Sequence, residues 1–152
     1  MGINVNYERE KKHFMSYCGS YCRLCDWHTG KIKRTFIRAA GMVDEFGFAK
    51  LFKNDVDREN LMLGISRITG SSICSGCKME IRDDPEEDRC QIRQCCASKG
   101  YDLCSECDDF PCELLTSNPG VIKFGCIENL REIKDKGFAK WIDEQWYKYL
   151  RE

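Results

Sequence analysis

Three cysteines in the stretch YCGSYCRLC, namely Cys18, Cys22 and Cys25, are spaced CxxxCxxC. That spacing suits a four-iron cluster of the kind found in radical enzymes that cleave S-adenosylmethionine, part of a zinc site, or a disulfide knot. Further along, Cys74 and Cys77 in CSGC precede Cys90 and Cys95, giving C-x2-C-x12-C-x4-C. A small finger wraps a tetrahedral zinc with this spacing. Gly76 suits the tight CSGC turn, whose amides must point toward the sulfurs. A second knuckle, CSEC, carries Cys104 and Cys107, with Cys112 after four more residues. These three ligands need a fourth, and the N-terminal trio can supply it, with Cys22 or Cys25 sharing an ion with Cys104, Cys107 or Cys112. Six thiols for four positions leave three arrangements open: one site with spare cysteines, two sites with mixed ligation, or a cluster.

The remaining cysteines read differently. Cys96 adjoins Cys95 and cannot easily reach the same ion, so it is expected to be a spare thiol. Cys126 stands alone at an apolar helical position, where cysteine behaves as a small hydrophobe. His28 could complete the first trio with nitrogen, but a surface or capping role is favoured, and His13 is expected to be solvated.

Twelve cysteines in 152 residues call for a common explanation. No apolar run approaches the roughly 18 residues that cross a bilayer. The N-terminus MGINVNYEREKKHF has no apolar core of a secretory signal. A cytoplasmic protein is expected, with no membrane partner. A reducing cytoplasm keeps ordinary thiols from pairing, so metal ligation is preferred to a disulfide framework. With 24 basic and 25 acidic residues and a formal net charge of -1, the chain has no general electrostatic drive toward nucleic acid. Each zinc held by four thiolates would add about -2.

The elements that must position these thiols are helical. Ile32, Phe36, Ala39, Ala40, Val43 and Phe46 recur at steps of three and four, which predicts one buried helix face ending or bending at Gly47. A second helix is expected from about Asp57 to Ile68, with Gly70 at its cap. Asp84 before Pro85 predicts a helix running to Gly100, and Asn118 before Pro119 another. The latter presents Ile122, Cys126, Leu130 and Ile133 on one face and closes near Gly137. A last amphipathic helix carries Phe138, Trp141, Ile142, Trp146 and Tyr149, read as core packing rather than a partner stripe. Lys31, Lys33, Arg34 and Arg38 read as a solvated face. No segment has the period of a strand. The expectation is a mainly α fold with little or no sheet, a small helix-rich single domain over 1–152 stabilised by cysteine-ligated metal. Within it lie an N-terminal trio with helices (1–70), a metal-rich segment (71–117) and C-terminal helices (118–152).

The lack of strands sets aside the radical enzymes, which build a partial barrel of strands and helices around their cluster. Catalysis finds little support in general, because no histidine flanks a candidate nucleophile and no context marks paired carboxylates. The surplus of thiols argues for filled coordination, hence structural metal that holds short helices and loops where the core is thin.

The order CGSYCRLC, CSGC, CQIRQC, CSECDDFPC and then KGFAKWIDEQ closely resembles the prokaryotic family catalogued as domain of unknown function 3795, over about residues 16–146. The resemblance implies that the motif cysteines are Cys18, Cys22, Cys25, Cys74, Cys77, Cys90, Cys95, Cys104, Cys107 and Cys112, with Cys96 and Cys126 outside the pattern. It implies metal binding and supplies no reaction. Ten motif cysteines suffice for about two zinc ions per chain. The expected function is a zinc-binding interaction or adaptor module with a protein partner, more a binding protein than an enzyme. The alternative is an iron–sulfur protein in electron transfer or redox sensing.

Overall fold

The computed structural model describes residues 5–48, 50–52, 57–79 and 90–151. These are mainly helical, and their only β pairing is an isolated bridge between Met15 and Tyr21. The chain divides into two compact units, residues 26–74 and residues 1–25 with 75–152.

The unit of residues 26–74 is a helical hairpin of α2 (Lys31–Phe46) and α3 (Arg58–Gly70). As expected, α2 stops at Gly47, which has φ +68°. Asp57 caps α3 by accepting the Glu59 amide at 2.8 Å. The helix includes Gly70, one turn position beyond the expected cap, and Ser71 follows it. The predicted buried face of α2 is only half covered, and Phe46 is 65% exposed. Two packed helices shield each other on one side alone, so Ile65 is the one fully buried apolar residue of this pair. The basic run has local partners: Lys33 donates to the Ser71 carbonyl (3.2 Å), Arg34 to Thr29 (2.8 Å), and Lys31 pairs with Asp26 (3.3 Å).

The other unit holds α1 (Tyr7–Arg9), continued by a π turn at Glu10–Phe14, then α4 (Gln91–Ser98), α5 (Glu113–Thr116), α6 (Pro119–Lys123), α7 (Cys126–Lys136) and α8 (Phe138–Tyr149). Its core is built on Met15, Leu103, Leu115, Leu130, Trp141 and Ile142, all fully buried. Trp141 and Trp146 of α8 meet the Tyr21 ring edge-on at 5.9 and 6.4 Å, which fixes the cysteine trio's segment against the C-terminal helix. Tyr149 lies at the periphery, half exposed.

Asn118 opens α6 as expected, accepting the Gly120 and Val121 amides at 3.0 and 3.1 Å. The single helix expected from there to Gly137 is instead two. Gly125 adopts φ +61°, which breaks the hydrogen-bond ladder and turns α7 away from α6. Ile122 is left 59% exposed, whereas Cys126, Leu130 and Ile133 are buried. The start expected at Asp84 and Pro85 lies outside the described residues.

A buried carboxylate braces the N-terminal segment. Glu10 accepts from the Tyr21 hydroxyl at 2.7 Å and pairs with Arg23 at 3.0 Å, while the Arg23 guanidinium sits 3.5 Å above the Phe14 ring. Burial, and then the Glu10 carboxylate, push the Tyr21 phenol up.

Candidate metal centre

Two CxxC knuckles fold alike. Cys22–Leu24 and Cys104–Glu106 each form one 3-10 turn, closed by the Cys25 amide on the Cys22 carbonyl (3.1 Å) and the Cys107 amide on Cys104 (3.2 Å). Between Cys74 and Cys77, Gly76 takes φ +89°, the freedom the sequence predicts for it. The Cys104 amide donates to Tyr17 at 2.9 Å, so the backbone beside Cys18 is tied to the second knuckle.

The second knuckle borders a cavity of about 210 Å³, and five cysteines line it: Cys95, Cys96, Cys104, Cys107 and Cys112. Cys95 and Cys96 come from the later turns of α4, Cys104 and Cys107 from the 3-10 turn, and Cys112 from the N-cap of α5. The Cys104 and Cys96 thiols hydrogen-bond to each other. This contact draws Cys96 down and, together with burial, pushes Cys104 up. The Tyr101 carbonyl lies 3.6 Å from the Cys96 sulfur. The Lys99 ammonium stands 3.2 Å from the Cys107 sulfur and 3.4 Å from Asp109, and the Cys107 hydrogen bond pushes Lys99 up.

A second sulfur contact joins the first motif to α7. The Cys18 and Cys126 thiols hydrogen-bond to each other, and the Cys18 pKa falls to about 6 under that contact, opposed by burial and aided by Ser16 at 3.3 Å. The same contact pushes Cys126 up. Gly19 makes this approach possible. It has φ +105°, and a Cβ there would collide with the Cys126 carbonyl oxygen and lie 2.7 Å from Leu130 Cγ. Asn129 clasps it by donating to its carbonyl at 2.9 Å.

A half-buried lysine completes the surroundings. Lys78 donates to the carbonyls of Lys11 (2.8 Å) and Asp102 (2.7 Å) and lies 4.8 Å over the Tyr17 ring. Burial lowers its pKa. Lys11 in turn pairs with Glu106 at 2.5 Å, inside the second knuckle.

Of the ten motif cysteines, the structure gathers Cys95, Cys104, Cys107 and Cys112 around one cavity. Cys18 meets Cys126, Cys22 is buried, and Cys25 and Cys77 are half-buried. Cys90 caps α4, and Cys74 is exposed in the 26–74 unit. The segment 80–89, which would close the expected finger, lies outside the described residues. Among the described residues, no three side chains of His, Cys, Asp or Glu already stand close enough to hold one metal ion. His28 places Nδ1 2.7 Å from the Cys74 carbonyl. Sequence reasoning missed the sulfur contacts of Cys96 and Cys126. It read both as thiols outside the pattern, and Cys126 is indeed a core residue, 2% exposed. The one local signal for its contact is a glycine directly after Cys18.

A family model described as Protein of unknown function (DUF3795) matches residues 14–117. The chain belongs to this family. The match runs from the residues before Cys18 to just beyond Cys112, so it spans all ten DUF3795 motif cysteines, the cavity included, and ends before Cys126. Neither a curated protein nor a solved structure matches the chain. Among the described residues, no helix is long and apolar enough to cross a membrane.

Proposed function

We propose that this chain is a metal protein in which cysteine thiolates hold the metal, that the metal is structural, and that the folded chain is an interaction or adaptor module for another protein. The observation that carries this reading is the gathering of Cys95, Cys104, Cys107 and Cys112, from three separate segments, around one cavity. Thiols brought together from α4, a 3-10 turn and a helix cap would link those segments through a common metal, so binding energy becomes folding energy. Zinc is the leading ion, about two per chain from ten motif cysteines. The near balance of charge favours a protein over nucleic acid. The second reading, an iron–sulfur protein in electron transfer or redox sensing, is favoured by the room inside the cavity.

Chelation tests the proposal. A strong chelator should remove metal and reduce the helical circular dichroism of the chain well beyond what one short finger could contribute. Full helical signal after complete metal removal would refute a structural role.

A further inference from the structure

The thiol-lined cavity is larger than a single ion fills. A tetrahedral zinc draws four sulfurs to about 2.3 Å, hence to roughly 3.8 Å from one another, with no space left for a water among them. The cavity's 210 Å³ has room for at least about seven waters at ~30 Å³ each. Five cysteines are among the residues that line it, and one metal ion would leave most of that volume unfilled. A polynuclear inorganic cluster fills such a space, because its own sulfides occupy the gaps between irons while each iron takes one cysteine thiolate.

Resting on the reading that thiolates of this chain bind metal, we propose that the cavity holds a four-iron, four-sulfide cluster on Cys95, Cys104, Cys107 and Cys112, in place of one of the two zinc ions. Cys96 is the thiol left over. It is 4% exposed within the core, and its thiol donates to the Tyr101 carbonyl at 3.6 Å. Cys95 instead faces Lys99 together with Cys107. An oxidised four-iron core with four thiolates carries a net charge of about -2, and the Lys99 ammonium at 3.2 Å from Cys107 offsets part of it. Ile92, Phe110 and Leu114 give the wall an apolar lining. A two-iron core has half the atoms and would leave much of this room empty.

The full chain is purified anaerobically, stripped, and reconstituted with ferrous iron and inorganic sulfide. The proposal expects a coloured protein with about four iron and four acid-labile sulfide per chain. Cys107→Ser and Cys112→Ser should lose the colour, and Cys96→Ser should keep it. If the serine variants at the ligand positions do not fold, as judged by circular dichroism, the iron and sulfide count of the unaltered chain decides. A count of two iron and two sulfide overturns the four-iron assignment. A chain that stays colourless after reconstitution but, as purified before stripping, holds stoichiometric zinc that is lost in Cys107→Ser overturns the cluster and leaves the thiolate–metal reading standing. A folded chain that takes neither metal overturns both.

Discussion

Replacing Gly19 by alanine perturbs the point where the first cysteine motif meets α7. The backbone there has φ +105°, outside the regions an alanine adopts, which costs roughly 1–3 kcal/mol. The added methyl would collide with the Cys126 carbonyl oxygen and crowd Leu130 Cγ at 2.7 Å. Leu130 is fully buried, so relief requires a shift of core or backbone worth another ~1–3 kcal/mol. The total is about 2–6 kcal/mol. At roughly 2–4 °C per kcal/mol for a chain of this size, Tm should fall by about 4–24 °C. Thermal melts followed at 222 nm, with urea titrations for the free energy, measure it. Gly41→Ala serves as the control of opposite sign, because Gly41 lies within α2 and a Cβ there meets nothing within 4 Å. It should stabilise by about 0.5–1 kcal/mol. A loss below ~1 kcal/mol for Gly19→Ala would refute the close approach.

Three further outcomes are expected. Tyr21→Phe removes the donor at 2.7 Å from buried Glu10 and should cost about 1.5–3 kcal/mol in urea unfolding, since the bond is to a charged group; an unchanged midpoint would count against the network. Asn118→Ala removes the cap on two α6 amides and should cost ~1 kcal/mol, whereas Asn118→Asp should retain most of the stability. Acidification from pH 7 to 5 should release bound metal, because only deprotonated thiols ligate it and protons compete as pH falls; a colorimetric chelator reports the release, and retention without pH dependence would argue against thiolate ligation.

Helix ends were the most legible feature of the sequence, because their signals are local. Gly47 stops α2, and Asp57 and Asn118 cap their helices through contacts two or three residues away. The break at Gly125 was hidden. Ile122, Cys126, Leu130 and Ile133 keep helical spacing straight through it, and periodicity cannot register a single left-handed glycine. Glu10 sits in the charged run YEREKK, which resembles a solvated face, and its burial depends on Tyr21 and Arg23 arriving from beyond the turn. The knuckles were readable from spacing, and so was the need of Cys104, Cys107 and Cys112 for further thiols. Which thiols gather there was not, because Cys95 and Cys96 reach the cavity through the packing of α4 and α5. Cys18 and Cys126 lie far apart in sequence, and only tertiary structure brings their sulfurs together.

Native mass spectrometry of the intact chain, purified anaerobically without added metal, tests the central claim most directly. The account predicts that the native mass exceeds the sequence mass by bound metal, and that the excess disappears on acid denaturation. A folded chain whose native mass equals its sequence mass would contradict it.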